Sequence, residues 1–265
     1  MKTPALASLV AMTAAAAVAS AQPAQERPPV LRDVGYDQRL GERVPLDLVF
    51  RDESGRGVRL RDLFRGRPVV LSLVYYQCPM LCTLTLNGLA SALSVLTFDV
   101  GREFDVVTVS FEPKETPALA TARKKAELER YRRPTAEAGW HFLTGAPGSI
   151  DGLTRAVGFR YAWDAETRQY AHPAGLVVLT PDGRIARYMY GVEYAPRDLR
   201  LALVEASQGR IGNPIDSVLL YCFRYDPTRG RYAASVLGMV RLGGILTVLA
   251  LGSFVLLSLR RERES

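Results

Sequence analysis

Residues 68–82 read PVVLSLVYYQCPMLC, and the fold is decided in this stretch. Residues 68–76 are a continuous β-branched, apolar and aromatic run, interrupted only by Ser72. That is the pattern of a strand buried on both faces of a sheet. Over 80–96 the pattern changes: Leu81, Leu84, Leu89, Leu93 and Leu96 recur at largely helical spacing. A buried strand running into an apolar helix makes a βα unit, with Cys78 and Pro79 at its junction.

Outward from this unit, strands and helices alternate. Residues 104–111 (FDVVTVSF) predict a second buried strand, and 117–132 a charged helix with Pro117 in its first turn. Residues 159–163 predict a short strand. The segments 176–180 and 184–190 flank Pro181-Asp182-Gly183, a hairpin signal, and 197–207 predict a last helix. Upstream, 46–50 and 58–60 form a hairpin through Ser54-Gly55. The expected fold class is α/β: a thioredoxin-like fold with an added N-terminal β-hairpin, occupying 30–208, plus a C-terminal transmembrane helix.

Both ends read as targeting segments. Lys2 precedes an uncharged run over 5–19, and Ala19-Ser20-Ala21 fits a cleavage site, so 1–21 predict a signal peptide. Residues 22–29 are a Pro/Gln-rich linker. Residues 242–259 carry no charge, are about 27 Å long as a helix, and lie between Arg241 and the run Arg260-Arg261-Glu262-Arg263. A transmembrane helix is therefore expected over 234–259, following a juxtamembrane segment (209–233). The tail, 260–265, is expected in the cytoplasm by the positive-inside rule. The protein domain would then sit on the extracytoplasmic side of the inner membrane.

Composition narrows the chemistry. Of 265 residues, 48% are hydrophobic and 23% charged, which rules out wholesale disorder. The net charge of +7 comes from Arg scattered among Asp and Glu, so no nucleic-acid patch is predicted. Three Cys and two His exclude zinc fingers and multi-histidine cages by count. Cys78 and Cys82 are four apart at a helix start, where both sulfurs can converge and the helix dipole favours thiolate. Thiolates select Cu(I) over harder ions, yet the same spacing also permits a disulfide or two structural thiols. His141, in the apolar stretch WHFLTG, reads as a structural histidine. His172, before Pro173, lies on a loop that a thioredoxin-like sheet would bring opposite the Cys turn, although a lone histidine is usually not a ligand. Cys222, among Tyr221, Phe223, Tyr225 and Tyr232, reads as an inert thiol in an interfacial belt; a resolving thiol or copper contact is the alternative.

Three blocks carry a resemblance: YYQCPMLC (75–82), VSFEPKETP (109–117) and YAHPAGLVVLTPDG (170–183). In order and content they resemble the Sco/SenC copper chaperones of cytochrome oxidase assembly. The resemblance implies a thioredoxin-like fold and copper, as Cu(I) or Cu(II), bound by Cys78, Cys82 and His172. It departs at Ala171, where an Asp commonly precedes the ligand histidine, and at Glu112, where the second block usually has Asp. The function expected is a membrane-tethered copper chaperone for the dinuclear centre of cytochrome c oxidase. Its partners would be the copper-bearing subunit of the oxidase and an upstream copper donor. A thiol-disulfide oxidoreductase acting on that subunit's cysteines through Cys78 and Cys82 is the second reading. A peroxide-reducing enzyme with Cys78 as attacking thiol is the third. CxxxC with a distant His favours metal over the CxxC of thioredoxin redox motifs.

Overall fold

The computed structural model describes residues 33–211, with 225–226, 231–232, 243–249 and 251–253. By internal contacts the chain divides into two units. One comprises, among described residues, 33–36 and Phe159–Pro173; the other holds Asp37–Gly158 and the described residues from Ala174 onward.

In chain order, β1 (Gly35–Tyr36) precedes the hairpin strands β2 (Val49–Arg51) and β3 (Gly57–Arg59), then a 3-10 turn (Leu60–Leu63). The βα unit follows as β4 (Val69–Val74) and α1 (Leu81–Ser94). Next come β5 (Asp105–Ser110), α2 (Pro117–Tyr131), α3 (Ala136–Gly139), β6 (Trp140–Leu143) and α4 (Pro147–Ala156). Then come β7 (Phe159–Arg160), β8 (Ala162–Asp164), β9 (Gln169–Ala171), β10 (Gly175–Leu179), β11 (Ile185–Tyr190) and α5 (Pro196–Ser207). Two short paired strands, β12 (Tyr225–Asp226) and β13 (Arg231–Tyr232), complete the strand set among described residues.

The larger unit is built on a five-stranded sheet of order β11-β10-β4-β5-β6. Strands β4, β5 and β6 run parallel, and β10 runs antiparallel to both β4 and β11. Every residue of β4, β5 and β10 is buried, which explains why their sequences are unbroken rather than alternating. The polar exceptions are paired: Ser72 Oγ donates to Thr108 Oγ1 at 2.9 Å, and Trp140 Nε1 donates to the same oxygen at 3.0 Å. Helix α1 packs on α2 and α5. At Gly88 an added methyl would overlap the Val192 carbonyl, so glycine is what lets α1 approach the loop before α5.

The smaller unit has two ladders. Strand β1 pairs with β7, and β8 pairs antiparallel with β9. The single strand expected over 159–163 is thus two short strands in different ladders, because the chain changes partner after Arg160. The N-terminal hairpin, expected at 46–50 and 58–60, is shorter, and its residues 60–63 turn into the 3-10 segment. Helix α4 was not anticipated. Its three glycine-flanked turns have weak intrinsic propensity, and burial of Ile150, Leu153 and Thr154 supplies what propensity lacks.

Among the described residues no helix is long and apolar enough to cross a membrane. Residues 243–249 and 251–253 are helical; the rest of the span expected over 234–259 lies outside the described residues. So do the signal peptide (1–21), the linker (22–29), Cys222 and the tail (260–265).

Candidate metal centre

The paired cysteines sit where β4 gives way to α1, and the backbone there is held from three directions. Tyr75 stacks edge-on against Phe111, with ring centroids 5.5 Å apart. The Tyr76 hydroxyl donates to the Leu143 carbonyl at 2.8 Å, and burial pushes this phenol well above its ordinary value. Glu115 supplies the third hold. Its Oε2 accepts from the Tyr76 amide (2.7 Å) and from Ser110 Oγ (2.5 Å), while its Oε1 accepts from the Gln77 amide (2.7 Å). The two amides that precede Cys78 are therefore tied to a single carboxylate, itself only 7% exposed.

The local geometry corrects two sequence expectations, the first being that helical spacing brings the sulfurs together. As the junction predicts, α1 begins at Leu81 and Cys78 lies in the turn before it, its amide donating to the Tyr75 carbonyl at 3.2 Å. The sulfurs nevertheless come together, because the turn folds Cys78 back over the first helical residues. The Cys82 amide donates to Cys78 Sγ at 3.3 Å, and the Tyr75 amide donates to Cys82 Sγ at 3.3 Å. The second correction concerns acidity. A helix start was expected to lower thiol pKa, but Cys82 is 2% exposed and burial pushes its thiol far up. The neighbouring Cys78 reinforces that rise; the Tyr75 amide and the Arg123 charge oppose it and are outweighed. Both cysteines are buried and free of any disulfide, while Pro79 and Met80 beside them are exposed.

His172 follows β9 directly and is 8% exposed. Its Nδ1 lies 3.1 Å from the Pro173 carbonyl oxygen. A carbonyl only accepts, so Nδ1 carries the proton and the lone pair falls on Nε2, the arrangement a metal-ligating imidazole uses. The Pro173 carbonyl thereby holds the ring at a site where Ala171 offers no carboxylate. One ligand atom each from Cys78, Cys82 and His172 lies within 4.8 Å of the other two, the one such group of three found among the described residues. His141 is not part of it. It sits on β6 with Nε2 3.5 Å from an Arg65 nitrogen, and burial lowers its pKa to about 4. Glu112 is not part of it either; its Oε1 accepts from the Lys114 amide at 2.9 Å.

Glu115 is the residue that sequence reasoning missed. It lies inside the block VSFEPKETP, where an acid reads as surface charge unless the burial of its neighbours is known.

A parallel-stranded sheet with an antiparallel hairpin edge, bearing paired cysteines at its first βα junction and a histidine from the third sequence block, defines a thioredoxin-like protein with two thiols and an imidazole so placed that they could hold a metal ion. The SCO1/SenC family model matches residues 38–205, and the chain belongs to this family. An Aquifex aeolicus VF5 protein named for electron transfer is 28% identical, with a TM-score of 0.58 over 65% of this chain and 96% of that one. Arabidopsis thaliana ScoI, solved with copper bound, is 19% identical with a TM-score of 0.50, over 61% of this chain and 96% of that one, and shares the fold. A Stutzerimonas stutzeri protein named for copper binding is 25% identical over 128 residues, which is 47% of this chain. The match spans 58% of that relative's length.

Proposed function

We propose that this protein carries copper to the dinuclear copper centre of a cytochrome c oxidase and holds the ion through Cys78, Cys82 and His172. The observation that carries this reading is the mutual approach of two sulfurs and one imidazole nitrogen within 4.8 Å. Two thiolates and one imidazole make a soft donor set that suits copper and is poor for ions that demand oxygen ligands. Membership of the SCO1/SenC family and the copper-binding name of the Stutzerimonas stutzeri relative point the same way. Copper is the cargo here. Cys82, protonated in its buried setting, gives up its proton as the metal binds, so loading releases protons and weakens as pH falls.

The proposal extends to place and partners. The mature chain begins near Gln22, the domain lies outside the cytoplasmic membrane, and the helix over 234–259 keeps it beside a membrane-bound client. A copper donor lies upstream and the copper-bearing oxidase subunit downstream. Thiol-disulfide exchange with that subunit is the second reading, favoured by two cysteines placed side by side, the Cys82 amide donating to Cys78 Sγ. It requires an attacking thiolate, which the burial of Cys82 opposes.

The reduced protein should retain one copper per chain and show a sulfur-to-copper band with Cu(II). Cys78→Ser and Cys82→Ser should each lose most of the affinity. His172→Ala should abolish oxidase maturation in a copper-limited strain while thiol-disulfide exchange persists, because exchange needs no imidazole. Normal oxidase assembly in the His172→Ala strain would refute the carrier and favour the reductase.

A further inference from the structure

Five rings of the smaller unit form a continuous row from the surface to His172. Trp163 is 53% exposed. It is the register partner of Tyr170 across the β8–β9 ladder, with ring centroids 5.0 Å apart. Tyr170 meets Tyr161 at 5.7 Å, Tyr161 meets Phe159 at 5.6 Å, and Phe159 meets the His172 ring at 6.4 Å. A cross-strand aromatic pair steadies a short two-stranded ladder, which accounts for Trp163 against Tyr170. It does not account for the row continuing inward through Tyr161 and Phe159 to a buried imidazole. Centroid separations of 5.0–6.4 Å are those of packed aromatic pairs, so the rings form an unbroken bridge.

We propose that the row Trp163–Tyr170–Tyr161–Phe159 is an electron-transfer route between copper held at His172 and a one-electron redox centre that meets the exposed indole. This inference rests on the copper reading given above. The balance is simple. One electron passes from Trp163 to a metal-centred one-electron oxidant, leaving the indole radical cation. Cu(I) at His172 then supplies one electron through Phe159, Tyr161 and Tyr170, which restores the indole and leaves Cu(II). No bond between heavy atoms is made or broken; a proton that the exposed indole radical cation gives to water is taken back when Cu(I) reduces it, and the two tyrosines serve only as a packed bridge. The row thus gives the copper a way to change oxidation state while His172 stays buried.

The test uses the full chain loaded with Cu(I) and a photogenerated ruthenium(III) complex as the oxidant. Copper per chain is measured before the flash. In the wild type, the indole radical should appear first and decay as the sulfur-to-Cu(II) band grows. Trp163→Phe, a conservative change at an exposed position, should slow growth of that band about tenfold, the effect of ~1.4 kcal/mol of barrier. Tyr170→Leu should slow it likewise, whereas Tyr170→Phe keeps the ring and should keep the rate. Copper oxidation at the wild-type rate in Trp163→Phe would overturn the route. So would a wild-type indole radical that decays equally fast with and without copper. A wild-type chain that retains no copper before the flash would refute the metal reading, and the route with it.

Discussion

Glu115 puts a buried carboxylate against the two amides that lead into Cys78, with Ser110 as its third donor. A carboxylate is the side chain that can accept from both amides at once; an amide side chain must turn an NH₂ toward one of them. Glu115→Gln should therefore leave a buried donor unmet and cost about 1–3 kcal/mol of stability, read as a lower urea midpoint. The two histidines show how setting divides one residue type. His172 keeps an oriented lone pair, while burial holds His141 neutral with a pKa near 4. Because His141 titrates near 6.5 when unfolded, the unfolded chain binds more protons between those values. Stability should be full above about pH 6.5 and fall as pH drops toward 4, by up to about 3 kcal/mol. His141→Gln should flatten that part of the pH–stability curve measured by urea unfolding. The cysteines and His172 were legible as a ligand set through their spacing and the family blocks. The acidity of Cys82 was not, because helix position is local and burial depends on residues far along the chain.

At the scale of the element, the helix that carries Cys82 is positioned by a residue with no side chain. Gly88 lies on the face of α1 that meets the Val192 carbonyl, and backbone cannot yield as a flexible side chain does. Gly88→Ala should destabilise the protein by about 1–3 kcal/mol, despite alanine's better helix propensity, because overpacking against backbone outweighs that gain. The check is a thermal or urea midpoint beside an alanine change at Ser91, which is exposed on the same helix and should be neutral or stabilising. Elements with strong patterns match the reading: β4, α1, β5, α2 and β11 lie within the expected segments, and β10 is offset from its own by one residue. Those with weak patterns do not. Helix α4 contains glycines that depress its signal, and β7 and β8 are too short for period-two alternation to show.

Across the whole molecule, the parallel core β4-β5-β6 sets the cysteine turn at the carboxyl ends of its strands, and the third sequence block returns as β10 beside β4. The proposed topology is tested at the chain ends. The mature protein should start near Gln22, and a reporter fused after Ser265 should report the cytoplasm; a periplasmic signal there would reverse the assigned orientation. From sequence alone come the fold class, the buried strands and the cysteine junction, which follow from periodicity and from rare residues at set spacings, properties of neighbouring positions. That His172 joins the two cysteines as a ligand is what the family resemblance implies. The tertiary structure alone decided that the turn before the helix brings the two sulfurs together and that Cys82 is held in a buried, poorly acidic state. It also decided that Pro173 orients the His172 ring and that Glu115, not Glu112, secures the cysteine turn. Each depends on burial and on hydrogen bonds between segments distant in sequence, and no local pattern encodes those.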